Sequence, residues 1–307
     1  MQLEKHLQEL AEEDKPPRYA TLAGMSDMSR FELDKFSRVW SNLSIERQRT
    51  IISRLVEMAE ENVDLDFDPI FQLCINNSDA AVREKAILGL WECEDRTIIG
   101  PLIDRLTKDT SPEVRSAAAV ALGRFATLAN EAKLPPVDGQ RIKDALIGVL
   151  RNPQDPADVR RRALESVAPF NTLVVQELIR KSYDSNDLRI RASALFAMGK
   201  TGEMQWMRYL LRELRGQSPI LRFEAANACG ELGEESCVPY LIPLLEDDDL
   251  QVQLAAIRAL GEIGGAMATR ALRRCSHSEE QAIRDASTEA LENLEGERSP
   301  LSFRFRA

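Results

Sequence analysis

The chain repeats itself about every 31 residues, and no other feature restricts its fold as much. The template is Ser111-Pro-Glu-Val114-Arg115, followed by Ala118, Leu122 and Gly123. Relatives begin at Val82-Arg83, Val159-Arg160, Ile190-Arg191, Leu221-Arg222, Val252-Gln253 and Ile283-Arg284. The intervals between the arginine positions are 32, 45, 31, 31, 31 and 31 residues. The long interval carries a surplus of 14, and the stretch 126–140, with Pro135-Pro136 and Gly139, reads as an inserted loop.

Each repeat predicts two helices. Four residues before the arginine position stand Asp79, Ser111, Asp187, Ser218 and Asp249, residue types whose side chains accept from free N–H groups at a helix start. Apolar or small residues recur at −1, +3, +4 and +7 from the arginine, one face of a 3.6-residue helix. The +3 residue is alanine in six repeats and Ser287 in the seventh, small enough for a neighbouring helix to come close. The second helix ends at glycine pairs, Gly199/Gly202, Gly230/Gly233 and Gly261/Gly264, the later one suited to a left-handed cap and the earlier one to crowding against the next repeat. The first helices carry their own apolar stripe, as in Tyr209-Leu210-Leu211 and Tyr240-Leu241-Ile242. Neither helix can bury its face alone, whereas stacked pairs share a continuous core.

The expected fold is therefore all-α, a right-handed α-solenoid of seven helix pairs over 67–295. A degenerate helical cap precedes it at 29–66, where Ser29-Arg-Phe-Glu32 reads as a capping box. Residues 1–28 form a helix and linker, and 296–307 a tail in which Phe303-Arg-Phe305-Arg alternates apolar and basic side chains.

The phrases Cys229-Gly-Glu-Leu-Gly233 and Ala259-Leu-Gly-Glu-Ile-Gly264, in the Val-Arg…Ala…Leu-Gly register, resemble HEAT repeats, and most of all the short HEAT-like repeats of phycobilisome lyases. The resemblance spans about 67–294. It implies a protein-binding scaffold or, alternatively, a phycobilin-lyase-like enzyme or chaperone subunit that handles a protein-attached tetrapyrrole. Deoxyhypusine hydroxylases of this repeat class hold iron with His-Glu pairs, and no such dipeptide occurs here. Some alkylpurine glycosylases grip DNA with a similar solenoid.

Chemistry-bearing motifs are scarce. His6 and His277 lie far apart, and no phosphate loop or nucleophile elbow is present. No catalytic residue, metal ligand or cofactor is expected, and Glu246-Asp-Asp-Asp249 reads as a solvated acidic turn capped by Asp249. Five cysteines with no CxxC fit buried reduced thiols in a cytoplasmic protein. No apolar run approaches a membrane span or a secretory leader. The net charge of −10 speaks against a nucleic-acid grip along the whole chain. Residues 141–222, however, hold 15 basic against 9 acidic side chains, and Arg160, Arg161 and Arg162 make a candidate anion site there. Nucleic-acid or phosphate binding through that segment is the further alternative. The row of register arginines itself reads as structural, since cations beside a core need partners.

Opposite the core stripe lie positions +1, +5 and +9, which should line the inner surface of the superhelix. Several are apolar: Leu88, Val120, Ala192, Phe196, Phe223 and Leu254. Glu165, Lys200, Asn227, Glu231 and Arg258 stand among them. Such a row either packs between adjacent helices or forms a binding groove. Trp91 and Trp206 fall outside it and read as packing. The expected function is non-enzymatic: a scaffold or adaptor, monomeric or weakly oligomeric, that takes another protein or peptide. The candidate contacts are Leu88, Val120, Glu165, Phe196, Lys200, Phe223, Asn227, Leu254 and Arg258.

Overall fold

Seven arginine-register segments become seven helices, each preceded by a partner helix. The computed structural model describes residues 2–12 and 15–298, and every regular element among them is helical. The chain divides into two units, Met1–Ala163 and Leu164–Ala307.

The first unit opens with α1 (Gln2–Leu10) and α2 (Tyr19–Ala23), then the cap pair α3 (Arg30–Trp40) and α4 (Ile45–Glu61). Repeat pairs follow: α5 (Asp68–Cys74) with α6 (Ala80–Gly89), α7 (Ile99–Lys108) with α8 (Pro112–Asn130), and α9 (Pro136–Arg151) with α10 (Ala157–Val167), within which the unit boundary falls. The second unit contains α11 (Leu173–Tyr183) with α12 (Leu188–Thr201), α13 (Met207–Glu213) with α14 (Pro219–Leu232), α15 (Val238–Leu241) with α16 (Leu250–Ile263), and α17 (Gly265–Cys275) with α18 (Gln281–Arg298). Each unit is an all-α solenoid of stacked pairs. Second helices pack on second helices, α4 on α6 on α8 and α12 on α14 on α16 on α18. No helix among the described residues is long and apolar enough to cross a membrane.

Three expectations are corrected. The stretch 126–140 is not a loop: α8 continues to Asn130, α9 starts at Pro136, and only 131–135 joins them. The Ala126-Thr-Leu-Ala run favours helix, and Pro136 occupies the first turn of α9, where a missing N–H costs nothing. The tail does not begin at 296, because α18 runs to Arg298; Phe303 and Phe305 lie outside the described residues. Glu246–Asp249 is not simply a solvated turn, because Asp247 is buried and ion-paired.

The capping prediction holds at Asp79, Ser111, Asp187 and Asp249, each accepting from an N–H in the first turn. Ser218 makes no such bond. The capping box at Ser29 and Glu32 is complete in both directions. Arg47 takes the −1 position of α4, normally apolar, and donates to the carbonyls of Leu10 and Lys15 at 3.0 and 2.5 Å. A guanidinium at a helix C-terminus satisfies carbonyls that the helix leaves free, so α1 is tied to the cap pair.

The register arginines join consecutive repeats. Arg83 clasps Asp109 with two bonds of 2.8 and 2.7 Å, and Arg222 clasps Asp247 with bonds of 2.6 and 2.8 Å. Arg115 pairs with Asp155 at 2.7 Å, and Arg191 with Glu213 at 3.1 Å. In the cap, Gln48 takes the arginine's place and accepts from Asn77 at 2.9 Å. The same guanidinium reaches back to its own loop: Arg83 to the carbonyls of Asn77 and Ser78, Arg222 to those of Gly216 and Gln217. The acid in turn accepts the backbone N–H of the next helix cap, Ser111 on Asp109 and Asp249 on Asp247. In these two pairs both charges are thus bonded on both sides, the condition under which a buried ion pair is tolerated.

The earlier glycine of each pair sits where two second helices meet. A Cβ on Gly199 would lie 2.8 Å from the Ala228 backbone, and one on Gly261 would lie 2.9 Å from the Ala290 methyl. The later glycines, Gly202 and Gly233, have φ of 67° and end their helices in the left-handed region.

Three outcomes follow for stability. Gly199→Ala should lower unfolding free energy by about 1–3 kcal/mol in urea titration, against the roughly 1 kcal/mol gain expected at an open helix position. Ser287 is fully buried with a hydroxyl that has no partner, so Ser287→Ala should raise unfolding free energy by about 1 kcal/mol. Burial pushes the Asp109 and Asp247 carboxyls up, but bonds from arginine and backbone N–H outweigh it and hold both below the ordinary value. Their contribution is complete above about pH 4 and disappears as pH falls through the lowered folded values. Arg222→Met should cost about 3 kcal/mol at neutral pH and flatten the loss of stability seen by circular dichroism in acid.

Candidate functional site

On each second helix, +3, +4 and +7 turn to the core and the close approach of neighbouring helices is taken up at the glycine and alanine contacts. Side chains at +1, +5 and +9 are left on the opposite face. The structure divides the expected row of candidates. Leu88 and Val120 are exposed in the first unit. Ala192 is buried, so packing claims it. In the second unit Phe196 is 37% exposed, and Phe223 and Leu254 are half-buried.

A cleft of about 290 Å³ gathers Phe196, Lys200, Phe223, Asn227 and Arg258 from α12, α14 and α16. Glu224, Glu231 and Glu262 complete its wall. The Lys200 ammonium lies 2.6 Å from Glu231 and 5.7 Å from the Phe196 ring centre, so its charge is shared between a carboxylate and an aromatic face. Burial and the neighbouring Glu231 push the Glu262 carboxyl up, partly offset by Arg258 and Lys200. Leu254 lines a second cleft beyond Arg258. Glu165 lies apart from both clefts and accepts from the Ser193 hydroxyl at 2.6 Å.

Glu262 is at +9 in its repeat, the same register position as Lys200 and Glu231, so extending the row by one repeat finds it in the sequence. Nothing in the periodicity singled out Glu224.

Arg160 and Arg161 of the triplet are engaged locally in the first unit. Arg160 donates to the Asp155 carbonyl at 3.1 Å, and Arg161 pairs with Asp158 at 3.2 Å. Trp206 is fully buried as expected, but Trp91 is 48% exposed, a correction. Trp91 stands at the exposed turn after α6, where Arg124 donates to its backbone carbonyl.

Cys229 is buried at its core position beside Cys237, and burial pushes the Cys74 thiol up to about 12, so Cys74 packs as a neutral group. No group of three or more histidine, cysteine, aspartate or glutamate side chains suited to a metal ion occurs among the described residues.

Among solved structures, the complex of CpcE and CpcF of phycocyanin lyase from Nostoc sp. PCC7120 matches with a TM-score of 0.56 at 19% identity, over 77% of this chain and 91% of that one. Importin beta matches with a TM-score of 0.47 at 13% identity, over 95% of this chain and 41% of that one. Human deoxyhypusine hydroxylase matches with a TM-score of 0.36 at 19% identity, over 95% and 96%. At these identities the likeness is one of fold. No curated protein sequence matches the chain. The family model for HEAT repeats matches residues 67–145 and 207–292, more than half the chain, and the protein belongs to the HEAT-repeat family.

Proposed function

We propose that the protein is a non-enzymatic scaffold that takes a segment of another protein on the second-helix face of its second unit. The observation that carries this reading is the cleft at Phe196 and Phe223. An aromatic ring more than a third exposed, flanked by a half-buried one and rimmed by charges, is what a partner covers when it binds. The rings supply apolar area, while Lys200, Asn227 and Arg258 set which polar groups are accepted beside them. The stacked helices hold this wall in place, so little ordering entropy is lost on binding. Leu88 and Val120 offer a separate apolar surface on the first unit.

A second reading, a subunit acting on protein-attached tetrapyrrole, is favoured by the likeness to phycocyanin lyase. Mixing the protein with a linear tetrapyrrole and recording the visible spectrum tests it. An unchanged spectrum removes it.

For the scaffold reading, the test is affinity capture from the native cell with mass spectrometry, using the natural chain and Phe196→Ser/Phe223→Ser side by side. Anchors of this kind contribute about 2 kcal/mol each, so the partner's retention should drop more than about tenfold while the helical dichroism stays unchanged. A variant that loses its helix signal would make the two rings packing residues instead.

A further inference from the structure

The same face holds a larger groove beyond Arg258. It lies between α16 and α18, encloses about 820 Å³, and shares Arg258 and Glu262 with the cleft at Phe196. Its floor is apolar: Leu254 and Ile257 from α16, Ala282, Ala286 and Ala290 from α18. The alanines leave the floor low, and Ala290 sits against Gly261, so the helices are close at the base and the space opens above them.

The rim is acidic. Glu262, Asp285, Glu289 and Glu292 face Arg258 alone. Asp285, Glu289 and Glu292 are exposed and form no ion pair among the described residues. At the other end Lys200 and Glu231 neutralise each other, which leaves the excess of negative charge on the α18 side. Burial and Glu231 raise the Glu262 carboxyl and Arg258 and Lys200 offset this only in part, so an arriving cation adds to what they supply. Apolar floor and acidic rim together select against an acidic or purely hydrophilic occupant.

We propose that this groove binds a segment of a partner protein in which arginine or lysine alternates with apolar side chains, the apolar ones on the Leu254–Ala286 floor and the cations against Asp285, Glu289 and Glu292. The proposal rests on the scaffold reading and names the chemistry of its partner. A small polyamine would satisfy the rim and leave the floor wet, whereas an apolar helix would fill the floor and leave the carboxylates buried without counter-charges.

The test uses the full chain and three fluorescent peptides of equal length with identical apolar residues, the intervening positions being arginine, glutamine or glutamate. Fluorescence anisotropy should rank arginine above glutamine by about tenfold or more and show no binding of the glutamate peptide, with the arginine advantage shrinking as salt is raised. Asp285→Lys/Glu289→Lys changes only exposed side chains. It should keep the thermal unfolding curve and lose the arginine preference while retaining the glutamine peptide.

Equal affinity for arginine and glutamine peptides, or an unchanged arginine affinity in the charge-reversed variant, would overturn the proposal and leave the scaffold reading standing. If none of the three peptides binds, both readings fail for this groove. A dimer in sedimentation that the arginine peptide dissolves would make a second copy of the chain the occupant and overturn it too.

Discussion

At each junction where it forms, the contact between a register arginine and the carboxylate of the following repeat is what converts a row of helix pairs into a stack. Hydrophobic burial alone does not set the offset between neighbouring pairs, because alanine and leucine stripes can slide on each other with little change in area. A guanidinium is a planar fork, and at Arg83 and Arg222 it fixes two oxygens of the next repeat while holding two carbonyls of its own loop. Sliding by one residue would leave a carboxylate buried without its cation, a loss of several kcal/mol at a single junction. The acid also holds the N–H at the next helix cap, so helix start and repeat offset are set by one side chain.

That offset decides what the second helices present. With the stack held in one register, glycine meets alanine at the points of closest approach, and +1, +5 and +9, Ala192 apart, are the positions packing does not use. Residues there are released from the volume limits of the core, which is why Phe196, Lys200 and Arg258 can sit side by side on a framework otherwise built from small aliphatic side chains. Differences between repeats at these positions change the surface without changing the fold.

The periodicity made most of the architecture legible: pair boundaries, four of five N-caps, the left-handed glycines and the partnered arginines all follow from residue type at fixed offsets. It failed where local chemistry departed from the pattern. Pro135-Pro136 looked like punctuation, but a proline in the first turn starts a helix as readily as it ends one, and the extra residues went into α8 and α9. Trp91 looked like core because tryptophan usually is, yet it falls after the last turn of α6. For the candidate site, the register put Phe196, Phe223 and Arg258 in one row and the three line one cleft, whereas the exposure of each ring depended on how closely the helices approach, which the sequence expresses only indirectly through Gly199 and Ala228.

The last repeat shows how far the register reaches when it is followed to its end. Asp285 and Glu289 occupy +1 and +5 of α18, the positions that in α12 and α14 hold Ala192 with Phe196 and Phe223 with Asn227. The face therefore changes character along the second unit, from aromatic rings with a neutralised lysine–glutamate pair to alanines beneath unpaired carboxylates. A uniform repeat protein would present the same chemistry at every step and bind by length alone. On the scaffold reading, a gradient from apolar to acidic would give an elongated partner a direction as well as a place, since reversing it would set its apolar residues among the carboxylates.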